Sequence, residues 1–350
     1  MSDQISARRP TLEAVAARAG VSRATVSRVV NGGSGVREPL VEKVRRAVEE
    51  LGYVPNQAAR ALVTRRTGAV AVIAAEPETT VFTNPFFARQ LLGISRELAG
   101  HDQQLVLLLT EGAADYDRVG RYLAGGHVDG AVLFSLHNDD PLPAIVRQVG
   151  IPTVFGGRPG WPGAEADRSI LYVDSDNRGG AREAVRHLLS LGRSRIATIT
   201  GPMDQTASVD RLDGYHDMLM DAHPELVVQG DFSEAGGARA MSELLDRGTE
   251  PDAVFVASDL MAAGALRVLR ARGRRVPEDV AVVGFDDMAE VAELSDPPLT
   301  TIRQDIEEMG RLMVRLLLRS LDQRTQPDGA GGRPLSSLII PTRLVRRTSA

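Results

Sequence analysis

Two textures of apolar spacing divide the chain. Up to about residue 60 the apolar positions recur every three or four residues, the period of helices with one buried face. Leu12, Val15, Ala16 and Ala19 form the first stripe, with Thr11 placed to cap the helix and Gly20 to stop it. Ser22 then stands as the N-cap of a second helix, Arg23 to Val30, in which Val26, Val29 and Val30 face inward. A third stripe, Leu40, Val41, Val44, Ala47, Val48 and Leu51, predicts a helix from about Pro39 to Leu51, so three helices can close a small core. Beyond Thr67 the apolar residues gather instead in short β-branched runs, AVAVIAAE, QLVLLLT, GAVLFSL, PTVFGG, RIATIT, AVFVAS and VAVVGFDD, separated by helix-length amphipathic segments. That alternation is the mark of parallel sheets buried on both faces.

The fold expected is therefore a small all-α helix-turn-helix head followed by an α/β sensor of two lobes with parallel sheets. The runs fall into two series with a change near Ala164 to Ser169, and a ligand would lie in the cleft beyond the strands' carboxyl ends. The domain expectation is a tail over 1–10, a head over 11–54, a hinge helix and linker over 55–67, and a body over 68–350. Within the body the first lobe takes about 68–168 and 299–325, the second about 169–298 and 326–350. The Pro/Gly-rich segment Arg158 to Arg168 holds the sole tryptophan, Trp161, read as a packing residue near the crossover rather than as part of the cleft mouth. Asp174, Gly179 and Gly180 read as turn and packing residues, and Ser320 to Pro334 as an exposed loop before a last strand, Leu335 to Ile340.

Charge sharpens this division. The whole chain carries −5, yet Met1 to Gly68 holds twelve Lys and Arg against six Asp and Glu, which leaves the remainder acidic. A basic head on an acidic body suits a nucleic-acid partner, although a charge run is as often a solvated face. In a helix-turn-helix the second helix enters the major groove with its N-terminal residues at the base edges. Here it would expose Ser22, Arg23, Ala24, Thr25, Ser27 and Arg28. Two short helices joined at a glycine fit any helical bundle equally well. There is no cysteine and there are only six histidines, so thiolate metal sites and disulfides are excluded and no cofactor or metal is expected. The charged first residues make no signal peptide, and no apolar run approaches the roughly 18 residues of a membrane span, so a cytoplasmic location is expected.

The stretch TLEAVAARAGVSRATVSRVVNG, followed by VREPLVEKVRRAVEELGYVPNQAARAL, resembles the LacI/GalR repressor family. By that resemblance Arg23, Ala24 and Arg28 occupy base-reading positions, and Ser22, Thr25, Ser27, Asn31 and Asn56 make phosphate or sugar contacts. Asn56 to Leu62 match the hinge helix, with Ala59 and the wedging Leu62 in the minor groove. The implied operator is near-palindromic with a central CG step and is bound by a homodimer. The likeness continues through TNPFF, VDSDNRGGAREAVRHL, SVDRLDGY, VASDLMAAGALRVL, VVGFDDM and PPLTTIRQD, which resemble the family's periplasmic-binding-protein-like sensor. Carried over by position, Arg211 and Asp286 would clamp an effector, with Asn84, Phe86, Asp176 and Asp259 as further effector-binding candidates.

Catalysis finds no support. The chain lacks G-x-x-x-x-G-K-[ST], G-x-S-x-G and H-E-x-x-H, and its sole lysine is Lys43. A transport solute-binding protein shares the two-lobed fold but would carry a signal peptide and no head. What the resemblance implies is a repressor whose operator affinity a small molecule controls, most simply a sugar. A corepressor-dependent purine-type regulator or an activator of the same family stays open, as does the choice between dimer and tetramer.

Overall fold

The structure, a computed structural model of the 350-residue chain, describes residues 10–30, 35–54, 66–164, 167, 169–220, 223–325 and 334–350. It divides into two compact units at Gly68.

In the first unit the Thr11 hydroxyl accepts from the Ala14 N–H at 3.3 Å and caps α1 (Leu12–Ala19), which Gly20 ends in the left-handed region at φ 65°. Ser22 Oγ accepts from the Thr25 N–H at 3.1 Å at the head of α2 (Arg23–Val30). α3 (Glu38–Leu51) begins one residue before its sequence expectation, with Pro39 in its first turn. Val15, Ala16, Val26, Val44 and Ala47 form the shared core, and Tyr53 closes it from beyond α3.

The second unit holds two six-stranded sheets. Its elements, in chain order, are β1 (Ala69–Ala74), α4 (Glu78–Thr83), α5 (Pro85–Gly100), β2 (Gln104–Leu109), α6 (Ala113–Ala124), β3 (Gly130–Phe134), α7 (Leu142–Val149), β4 (Thr153–Gly156) and β5 (Leu171–Ser175). There follow α8 (Asn177–Ser190), β6 (Ile196–Thr200), α9 (Thr206–Met218), β7 (Val227–Gln229), α10 (Glu234–Asp246), β8 (Ala253–Val256), α11 (Asp259–Ala271), β9 (Ala281–Asp286), α12 (Ala289–Ala292) and β10 (Thr300–Arg303). The chain ends on α13 (Ile306–Thr325), β11 (Leu338–Ile340) and β12 (Arg343–Val345).

The first sheet runs β11-β5-β4-β3-β1-β2 and the second β12-β10-β9-β8-β6-β7. Every pairing is parallel except β10 with β12. The buried runs Val70–Ala74, Ala131–Phe134, Val254–Val256 and Ala281–Val283 are the sheet centres, as their unbroken apolar character requires.

The sheets assign three segments differently from the sequence boundaries. β5 lies in the first sheet beside β4, so the chain crosses at Asp176 and the Pro/Gly-rich segment is a loop within the first lobe. β10 pairs with β9 in the second sheet, and β11 pairs with β5 in the first. Composition gave no signal at these points because pairing is a long-range choice between edges equally able to accept a strand. α13 extends through Ser320 to Thr325, where a loop was expected. It packs on α5 backbone to backbone: a Cβ on Gly93 would sit 2.0 Å from the Glu307 carbonyl oxygen, and one on Gly310 2.4 Å from that of Gln90.

Candidate functional site

Between the lobes of the second unit the carboxyl ends of both sheets line a cleft of about 540 Å³. The first lobe contributes Glu76 after β1, Ser135 to Asn138 after β3, Gly156 to Trp161 after β4, and Asn84, Phe86 and Gln90 at the start of α5. The second contributes Pro202 and Gln205 to Ala207 after β6, Asp231 to Glu234 after β7, Ser258 after β8 and Asp286 at the end of β9. Three of these residues hold positive φ without being glycine: Ser135 (59°), Phe232 (62°) and Asp286 (113°). Backbone held in this region costs energy and is kept where a side chain must be aimed.

Arg211 and Asp286 face each other in the cleft. Arg211 is buried on α9; its Nε donates to Asn177 Oδ1 at 2.9 Å and its Nη1 to the Ala257 carbonyl at 2.5 Å. Its Nη2 stands 3.8 Å from Asp286 Oδ1, beyond hydrogen-bond length. Burial pulls the guanidinium below its usual range, opposed by Asp286, Asp174 and Asp259. Asp286 also accepts from Gln304 Nε2 at 2.6 Å, while Ser175 Oγ donates to Gln304 Oε1 at 2.7 Å, so this glutamine ties the end of β5 to the end of β9.

The other candidates separate. Phe86 lines the cleft in an edge contact with Phe87, and Asn84 lines it while capping α5 through Oδ1. Asp176 does not reach the cleft: it is exposed and caps α8 by accepting from the Gly179 N–H at 2.8 Å. Asp259 lies behind it, wholly buried, accepting from the Met288 N–H at 2.8 Å and the Thr301 hydroxyl at 2.5 Å. Burial, and then the neighbouring Asp286 carboxylate, hold Asp259 well above the ordinary carboxylate range.

Sequence reasoning passed over Glu76, His137, Gln205, Asp231, Phe232 and Gln304, all of which line the cleft. The available signal for Glu76 and His137 was position, at the end of an apolar run or just beyond it, whereas Gln304 follows a strand too polar to announce itself. Trp161 lines the cleft and also packs edge-on against Phe155, centroids 5.3 Å apart, and Asp174, read as a turn residue, lines it too. The lining is richer in carboxylates (Glu76, Asp174, Asp231, Glu234, Asp286) than in guanidiniums (Arg158, Arg211).

In the first unit Arg23, Ala24 and Arg28 are exposed on α2, and Arg23 Nε pairs with Glu13 at 2.9 Å. Ser22 and Thr25 share a hydroxyl contact of 2.9 Å, and Ser27 is half-buried. Asn31, Asn56, Ala59 and Leu62 lie outside the described residues. No helix among the described residues is long and apolar enough to cross a membrane.

Residues 11–56 match the family described as bacterial regulatory proteins, lacI family, and residues 185–350 match a periplasmic binding protein-like domain. The HTH-type transcriptional regulator CelR of Thermobifida fusca is 51% identical over 348 residues, 98% of each chain. The ribose operon repressor of Escherichia coli strain K12 is 36% identical over 322 residues, 90% of this chain and 94% of that one. Among solved structures, a CelR–cellobiose complex superposes with a TM-score of 0.75 at 48% identity, covering 98% of this chain and 100% of that one. The lac repressor dimer bound to operator and the anti-inducer ONPF superposes with a TM-score of 0.80 at 28% identity, covering 98% and 99%.

Proposed function

This chain belongs to the LacI family of bacterial transcriptional regulators, and from that premise we propose that it represses genes of sugar use in the cytoplasm and leaves its operator when a neutral disaccharide of the cellobiose kind fills the cleft. The observation that carries the ligand class is the state of the charges. Arg211, the cation that would clamp a phosphate, is already bonded by Asn177 and Ala257, and carboxylates outnumber guanidiniums along the walls. Such a lining repels a sugar phosphate and suits hydroxyls, which can donate to carboxylates and accept from a guanidinium at once. The 3.8 Å gap between Arg211 Nη2 and Asp286 Oδ1 has the dimensions for one hydroxyl bonded to both. Phe86, Trp161 and Phe232 offer flat apolar faces to the C–H faces of a pyranose.

On the DNA side Arg23, Ala24 and Arg28 read bases, while Ser22, Thr25, Ser27 and Asn31 hold the backbone. Ala24 offers only a methyl, which suits thymine. Asn56, Ala59 and Leu62 supply the hinge, and two chains bind a near-palindromic operator with a central CG step. Filling the cleft favours one lobe arrangement, and operator affinity falls by the coupling, about 1–3 kcal/mol per effector.

A mobility-shift titration on the DNA upstream of the gene and its neighbours, with cellobiose, ribose, a sugar phosphate and hypoxanthine added in turn, tests the reading. Release by cellobiose alone is expected. Release by the sugar phosphate overturns the charge argument, and a shift that forms only with the purine makes the protein a corepressor-dependent regulator.

A further inference from the structure

In the same cleft one imidazole gathers polar groups from both lobes. His137, on the loop after β3, places Nδ1 2.7 Å from Asp204 Oδ2 on the loop after β6. Its Nε2 lies 3.1 Å from Gln205 Nε2 and 3.8 Å from Glu76 Oε1. Glu76 in turn accepts from Ser135 Oγ at 2.6 Å and stands 3.4 Å from Gln205 Nε2. The main chain follows the same join, the Asn138 N–H donating to the Asp204 carbonyl at 2.9 Å. A neutral imidazole donates from one nitrogen only and would turn a lone pair toward one of the two carboxylates, whereas an imidazolium donates from both. Turning the Gln205 amide so that its oxygen faces Nε2 gives the imidazolium an acceptor there and gives up the 3.4 Å contact from Gln205 Nε2 to Glu76.

We propose that His137 is the positioning residue of the effector cleft: as an imidazolium it ties Glu76 of the first lobe to Asp204 and Gln205 of the second, so that closing the lobes over an effector takes up a proton. This rests on the reading of the cleft as the effector site. The groups facing His137 are acidic or neutral from every side. Glu76 and Ser135 come from its own lobe, Asp204 and Gln205 from across the cleft, and Asp139 and Asp140 follow it on its loop. Asp140 accepts from the Leu142 N–H at 2.8 Å at the start of α7. Arg158, on the loop after β4, is engaged by Asp210 at 2.6 Å. Glu76 first and Asp204 next lift the His137 pKa from 6.5 to about 9, against burial. Opening the lobes removes Asp204 and Gln205, so the value falls from its closed-state level but stays above 6.5, because Glu76, the largest contributor, remains. A pKa raised in the closed state makes closure most favourable below the open-state value and weakens it as pH climbs toward 9. The specificity of the cleft is thereby joined to a proton at a site separate from the Arg211–Asp286 pair.

The test is calorimetric titration of the full chain with cellobiose at pH 6, 7, 8 and 9, repeated at pH 8 in two buffers of different ionisation enthalpy. Wild-type affinity is expected to weaken on the order of tenfold from pH 6 to 9, with net proton uptake. H137Q, which keeps a donor for Asp204 but cannot titrate, is expected to bind weakly at all four pH values with neither slope nor uptake. Binding that persists without slope or uptake in the wild type, or a slope retained in H137Q, overturns the proposal. Failure to bind cellobiose at any pH would overturn the disaccharide reading instead. The role of His137 is then decided by nuclear magnetic resonance titration of the imidazoles, with H137Q identifying the signal. A His137 that titrates near 9 supports it, and one near 6.5 with and without sugar overturns it.

Discussion

The Arg211 guanidinium stands over the ring of Phe285, its Cζ 3.7 Å from the centroid, so the residue preceding Asp286 on β9 holds the guanidinium that faces Asp286. Stacking, the Asn177 bond and the Ala257 bond fix the fork from three directions. A lysine keeps the charge but has neither the planar face nor the fork. Arg211→Lys is therefore expected to weaken cellobiose binding by about tenfold or more, the loss of a hydrogen bond to a charged group being about 1.5–3 kcal/mol. Calorimetry measures it, with thermal melting to confirm folding. Unchanged affinity would remove Arg211 from the effector contacts.

Asp259 stands behind this pair and shapes it without reaching the cleft. Its two oxygens accept from Met288 N–H and Thr301 Oγ1, and the same carboxyl sits wholly buried beside Asp286. An asparagine can accept from Met288 and donate to the threonine hydroxyl while removing a like charge. Asp259→Asn should fold with a melting temperature equal to or above that of wild type. Asp259→Ala leaves the Met288 N–H without a partner and should lose about 1–3 kcal/mol, roughly 2–8 °C for a body of this size. If both variants melt alike, the hydrogen bonds of Asp259 contribute nothing.

The head was legible almost residue by residue, because caps and a three-to-four spacing are local signals: Thr11, Gly20 and Ser22 bound α1 and α2 where the sequence placed them. Seven strands were legible as apolar runs. β5, reading Leu-Tyr-Val-Asp-Ser, and β10, reading Thr-Thr-Ile-Arg, carry too few consecutive apolar residues to announce themselves or their sheet. Arg211 and Asp286 were reached through resemblance rather than pattern. His137 and Gln205 come from loops with no period at all, and their meeting depends on how two lobes lie together. Asp176 and Asp259 look alike in sequence, both opening a helix after a strand. The structure makes one an exposed cap and the other a buried support.

Arg28 is exposed on the outer face of α2, and Arg23, one turn earlier, already pairs with Glu13 on α1. Arg23 must release Glu13 to reach a base, whereas Arg28 makes no ion pair among the described residues. Arg28→Ala is expected to cost roughly 1–3 kcal/mol of operator affinity and to relax one base position. Binding measured against operators randomised one position at a time decides it. An equal loss on every sequence would make Arg28 a phosphate contact.

His187 on α8 is buried, and neither ring nitrogen has a hydrogen-bond partner among the described residues. Burial lowers its pKa below 6.5, opposed by the main chain of Ala350, which lies near the ring without a well-formed hydrogen bond, and by Glu183, and aided by Arg346. The folded protein then binds this proton less readily than the unfolded chain, so stability falls as pH drops below 6.5 and continues to fall until the folded-state value is passed. Leucine fills a similar volume without the polar nitrogens and without the titration. His187→Leu should raise the melting temperature at pH 5.5 by roughly 2–4 °C per kcal/mol recovered, and by less at pH 8, where the imidazole is neutral in both states. Scanning calorimetry at the two pH values reads the difference. A gain of equal size at both would locate the benefit in packing alone, and a loss at both would mean the ring holds a contact that leucine cannot make.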